Sequence, residues 1–143
     1  MIQKHVLFII AFCLSLSVMA QETKESKEAY LKRINKEVGH NFKELKTGVT
    51  IEVERVGGVV KIYMLVDDIE QFDELLVERS DQLGTNYAQC KSVTVVKGKY
   101  KNNYVEVIDQ YPLSPKMSPL YRLKTITAEG ITRMYAPVAI VTN

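Results

Sequence analysis

Tryptophan is absent from this chain, and cysteine and histidine occur only twice each in 143 residues. Cys13 and His5 both fall within the first twenty residues, which leaves Cys90 and His40 for everything downstream. One thiol cannot close an internal disulfide, and one Cys with one His cannot supply the three or four ligands of a zinc cage. A nucleophile and base from the same two residues would require the region around His40 to fold across the strand that carries Cys90. Cys90 therefore reads as a small buried hydrophobe and His40 as a solvated or helix-terminal residue. Charge of one sign is also lacking: 19 basic residues stand against 17 acidic ones. The balance gives no concentrated basic face for nucleic acid. Glycines are scattered at turn positions, with no phosphate-cradling loop. Asp67, Asp68, Glu70 and Asp73 lack the spacing and central glycine of a calcium loop and read as an acidic connection. These absences lead to the expectation of no catalytic residues, no metal, no cofactor and no enzymatic activity.

What is present begins with an address. Lys4 and His5 precede an apolar run from Val6 to Met19, and Val18-Met19-Ala20 offers small-residue cleavage before Gln21. A run of about fifteen residues is short of the roughly twenty that span a bilayer, so residues 1–20 are expected to be a removed secretory signal. Residues 21–46 follow as a Lys/Glu-rich helical leader or linker. Leu31, Ile34, Val38, Phe42 and Leu45 fall at spacings of three and four, one apolar stripe on a helix. Gly39 weakens the middle of this run and offers an early end.

After Lys46 the period changes to two. Val49, Ile51 and Val53 alternate with polar residues, Gly57-Gly58 supplies a hairpin turn, and Val59 to Val66 returns. Further strands are expected at Leu75 to Arg79, Tyr87 to Val96, Tyr104 to Ile108, Leu120 to Thr127 and Thr132 to Val141. Pro112, Pro115 and Pro119 mark a long corner between them. Seven short strands with turns every ten or so residues predict an all-β, antiparallel sandwich over residues 47–143. Its expected inward positions are Ile51, Val53, Val60, Ile62, Met64, Leu75, Val77, Val107, Leu113, Tyr121, Leu123 and Val138. Alternation puts Arg79 on the side of Val77, where its charge needs a partner or an exit to solvent.

The phrases Leu75-Leu76-Val77-Glu78-Arg79-Ser80, Asn86-Tyr87, Asp109-Gln110-Tyr111-Pro112-Leu113, Tyr121-Arg122-Leu123-Lys124 and Glu129-Gly130 follow one another over about ninety residues. In order and spacing, residues 49–141 resemble the fibronectin type III-like modules of exported Bacteroidota proteins. The resemblance implies a fibronectin type III/immunoglobulin-like sandwich in which Tyr121 is a corner tyrosine, its hydroxyl bonded to backbone near the preceding turn. It also implies that Tyr63 or Met64 fills the volume of the family's usual core tryptophan. Val77, Arg79, Tyr121 and Leu123 are the expected structural positions.

Function follows as an expectation only. The chain reads as an exported, non-enzymatic protein-interaction or structural module of the cell envelope, with a carbohydrate- or small-ligand-binding accessory module as the alternative. The location is periplasmic first, outer-membrane-associated or secreted second. Candidate contacts are Leu31, Ile34 and Val38 on the leader, which would also serve a weak dimer, and Tyr100, Tyr104 and Tyr111 near the loops. An envelope or secreted protein is the expected partner, and a glycan the alternative one.

Overall fold

A computed structural model describes residues 24–110 and 116–141. The expected signal segment, Tyr111 and Leu113 lie outside the described residues. Compact units divide at Tyr30 and Leu31, within α1 (Lys27–Val38), the one α-helix among the described residues. In the first unit Ser26 opens the helix: the Ala29 N–H donates to Ser26 Oγ and the Tyr30 N–H to the Ser26 carbonyl, satisfying two of the first-turn donors.

In the second unit, Leu31–Asn143, eight strands follow in order: β1 (Val49–Val56), β2 (Val59–Val66), β3 (Phe72–Ser80), β4 (Tyr87–Thr94), β5 (Tyr104–Asp109), β6 (Leu120–Thr127), β7 (Thr132–Met134) and β8 (Val138–Val141). They form one connected path, β4-β3-β6-β8-β1-β2-β5, with β7 also on β6. β7 and β8 lie in succession along one edge of β6. β8 then runs parallel to β1, pairing Val53 with Ile140 and Glu54 with Val141. The terminal strands of the path, β4 and β5, approach each other, so the sheet is mixed and nearly closed, like a barrel.

This corrects the antiparallel seven-stranded sandwich. The expected last strand, Thr132 to Val141, is two strands, because Pro137 has no N–H to give to a ladder and the chain breaks pairing there. The second half then reaches β1 in the parallel sense, which joins what would have been two sheets into one path.

The inward faces alternate as period two requires. Val53, Val60, Ile62, Met64, Leu75, Val77, Tyr121 and Leu123 are all fully buried, and Ile51 nearly so. Val107 and Val138 are partly buried against this cluster. At roughly 1.5 to 3 kcal/mol for each large apolar side chain removed from water, this interior is the main stabilising term. Met64 is the residue that lies in the core, whereas Tyr63 faces the other side of the sheet. β1 and β2 are buried on both faces: Thr50, Tyr63 and Leu65, which point away from the interior, are exposed by no more than 7%. Something covers that outer face, and the covering segment builds the site described next.

Candidate functional site

The helix does not run to Lys46. It stops at Val38, where Gly39 takes a left-handed conformation (φ 70°) and its N–H closes on the Asn35 carbonyl. Within the described residues, the helical leader expected over residues 21–46 is thereby corrected to a 12-residue helix followed by a non-helical strap, residues 39–46. Asn35 anchors the strap: its Oδ1 accepts from the Phe42 N–H at 2.9 Å and its Nδ2 donates to the Phe42 carbonyl at 3.0 Å. The side-chain amide thus imitates a peptide unit. Further along, the Lys46 N–H donates to Thr50 Oγ1 at 2.8 Å.

Between these anchors His40 lies flat on Tyr63, with ring centroids 3.8 Å apart and planes 12° from parallel. Phe42 meets His40 edge-on at 4.6 Å and Tyr104 at 6.2 Å. His40 Nε2 is 2.8 Å from Glu52 Oε2. Facing a carboxylate, Nε2 carries the proton, and in the neutral ring Nδ1 is left as the acceptor. The other Glu52 oxygen accepts the Lys43 N–H at 2.8 Å. Burial pushes the Tyr63 hydroxyl above its ordinary value; the Lys61 ammonium opposes this, and the Glu54 and Glu106 carboxylates reinforce it. A cleft of about 350 Å³ opens here, with Gly39, His40, Asn41, Lys43, Glu52 and Glu54 along it and Tyr63 at its floor. It offers a stacked ring pair, two carboxylates, an ammonium and an amide. A carboxylate-held imidazole is also the kind of group that transfers a proton.

A second constellation of similar chemistry lies inside the barrel. Asp109 Oδ2 accepts from Arg79 Nη1 at 2.5 Å and from the Tyr121 hydroxyl at 2.9 Å. The Tyr121 hydroxyl is therefore bonded to a carboxylate, which corrects the expected backbone bond of a corner tyrosine. Arg79 has its partner at the barrel end, as a charge on the Val77 side needs. Next to them Cys90 is the extra residue of a β-bulge in β4, opposite Val77 and Glu78, and its Sγ donates to the Val77 carbonyl. Burial, followed by the Asp109 charge, pushes this thiol up to about 11.

The candidate contact residues do not form one surface. Ile34 is fully buried within the chain itself, so it is not a free partner stripe; Leu31 and Val38 beside it are half-buried. Tyr100 packs on the core and its hydroxyl donates to the Thr94 carbonyl. Tyr104 lies beneath Phe42 and donates to Glu106 Oε2 at 3.0 Å. The sequence reading takes His40 as a solvated or helix-terminal residue and Tyr63 as a core filler; the structure corrects both and brings them together. Glu52 is not singled out there at all, although the unbroken apolar run Ile62-Tyr63-Met64-Leu65-Val66 signals a strand buried on both faces and hence a covering layer.

No protein-family model and no curated protein matches this chain. Among solved structures it is similar to pectate lyase Pel3 from Pectobacterium carotovorum, with a TM-score of 0.51 and 8% identity over 66% of this chain and 27% of that one. It is also similar to pectate lyase PelI from Erwinia chrysanthemi, solved in complex with tetragalacturonic acid, with a TM-score of 0.50 and 9% identity over 65% and 28%. The chain spans just over a quarter of the length of those solved chains, and at such identity the likeness concerns the fold. The assignment to fibronectin type III-like modules is corrected on this finding together with the mixed sheet. The expectation of no enzymatic activity is withdrawn as well: both similar structures are enzymes, and missing motifs did not foresee the His40–Glu52 pair.

Proposed function

We propose that this protein is an exported carbohydrate-binding module whose binding site is the cleft between the strap and the outer face of β1 and β2. The observation that carries the reading is the His40–Tyr63 stack set among hydrogen-bonding groups of both kinds. Sugars present apolar C–H faces and rings of hydroxyls, and small-ligand sites answer with aromatic surface plus a few fixed polar groups. Charge narrows the sugar. Glu52 and Glu54 face the cleft against Lys43 and His40, so a carboxylate-bearing sugar meets two like charges, while neutral or amino sugars do not. The ligand of the similar pectate lyase, a sugar acid, is therefore not carried over to this cleft.

The test is binding of the purified chain to a panel of neutral, amino and acidic oligosaccharides, read by calorimetry, with product analysis of every mixture. Saturable binding of a neutral or amino sugar, lost in His40→Ala, supports the reading. Binding only to acidic sugars, or to none, would overturn it. New reducing ends or unsaturated products that vanish in His40→Ala and Glu52→Gln would make the same cleft an active site, with His40 moving the proton.

A further inference from the structure

The far end of the barrel holds a second cleft, of about 220 Å³, lined by Gly48, Asp67, Gln71, Thr125, Arg133 and Tyr135, among others. Thr125 follows Tyr121 and Leu123 on the inward face of β6 and is only 1% exposed, yet its Oγ1 has no hydrogen-bond partner. An unmet buried hydroxyl costs about 1 to 3 kcal/mol, and such groups are scarce in folded proteins. Across the strand pair, Thr125 is in register with Arg133 of β7. The Arg133 guanidinium lies 5.3 Å from the centre of the Tyr135 ring and, among the described residues, has no carboxylate partner. Asp67 is already fixed by the Gly48 N–H, which donates to its Oδ2 at 2.8 Å, and it leaves acceptor capacity on its other oxygen.

We propose that this barrel mouth is a binding site for a small hydroxylated carboxylate. A free guanidinium is the natural partner of a carboxylate. A χ1 rotation that carries the Thr125 hydroxyl to another staggered position lets it bond to the ligand, and Asp67 accepts from a ligand hydroxyl. Asp67 also repels a simple anion, so the site needs a molecule that brings donors along with its charge. A cleft of this size suits a single sugar acid or a smaller molecule. This site is separate from the strap cleft and stands or falls independently of it.

The experiment is a two-dimensional amide chemical-shift titration of the full chain with galacturonate, using galactose and acetate as probes that carry only hydroxyls or only the carboxylate. Galacturonate is expected to move the amides of Gly48, Thr125 and Arg133 saturably and to bind at least about tenfold more tightly than either control. Arg133→Gln, an exposed change that leaves the fold intact, is expected to weaken it about tenfold. Thr125→Val is expected to raise the melting temperature, since it removes an unmet hydroxyl, and to weaken binding at the same time. A stabilised Thr125→Val with unchanged binding, equal response to all three probes, no response, or indifference to Arg133→Gln would each reduce the cleft to a water-filled packing defect and overturn the proposal.

Discussion

Two constellations in this molecule are made of nearly the same parts. Inside the barrel a tyrosine, a carboxylate and a guanidinium meet in Tyr121, Asp109 and Arg79; on the outer face a tyrosine, a carboxylate and an imidazole meet in Tyr63, Glu52 and His40. Access separates them. The Asp109 side chain is 5% exposed and Tyr121 not at all, so the carboxylate at the centre is closed to solvent even though Arg79 keeps 23% of its side-chain surface. His40 and Glu52 keep 14% and 21% of their side-chain surface and border an open cleft. Residue type alone therefore does not distinguish a structural cluster from a binding site; what matters is whether the cluster retains unspent hydrogen-bonding capacity next to solvent.

The largest expected effect breaks the interior cluster. Asp109→Ala leaves the fully buried Tyr121 hydroxyl without its acceptor and the Arg79 charge without its carboxylate, losses that together cost about 3 to 5 kcal/mol. Chemical denaturation should show that loss, while Glu52→Ala in the outer cluster should cost no more than about 1 kcal/mol. Equal losses in the two variants would erase the distinction between the clusters. For the outer cluster the larger effect is on binding. His40→Ala should weaken a bound neutral or amino sugar by at least about tenfold, with the fold retained.

Tyr121→Phe sharpens the interior side further. It keeps the ring in the core and removes one hydrogen bond from a carboxylate that still has Arg79, so the expected cost is about 1 kcal/mol. A loss as large as that of Asp109→Ala would mean that the tyrosine hydroxyl, not the ion pair, holds the barrel end. Cys90 reports on the same end without altering it. Its thiol, pushed up to about 11 by burial and the Asp109 charge, should resist alkylation near pH 8 in the folded protein and react on unfolding. Rapid labelling under native conditions would show the barrel end to be open.

The smallest effect lies in the β3–β4 turn. Asp81 accepts hydrogen bonds from the Leu83 and Thr85 N–H groups and the Asn86 amide. Its carboxyl is held at about 2, below the ordinary 3.8, chiefly by the Thr85 N–H. A depressed native value means that the contribution is present above 3.8 and lost as pH falls through about 2. Titration of the carboxyl carbon resonance checks this, and a midpoint at the ordinary value would contradict it.

Much of the strand layout was legible because alternation is a local signal. Ile51, Val53, Ile62 and Met64 declare their face to any reader of period two, and Gly39 offered the helix an end. What escaped was non-local. The parallel union of β8 with β1 depends on Pro137 interrupting a strand that reads as continuous, and no pattern in β1 announces it. His40 and Glu52 meet only because Asn35 pins the strap over a strand that begins at Val49, so their pairing is a product of tertiary structure. The stripe of Ile34 and Phe42 was seen correctly as apolar, but its spacing mimicked one helical face while the chain in fact turns out of the helix between them.

The most direct test of the account is an amide chemical-shift map of the chain with the neutral or amino oligosaccharide that binds it best. The account predicts perturbations concentrated at Gly39, His40, Asn41, Lys43, Glu52 and Tyr63, with the amides of Arg79, Asp109 and Tyr121 unmoved. Perturbations centred on the interior cluster, or spread evenly over the surface, would contradict it.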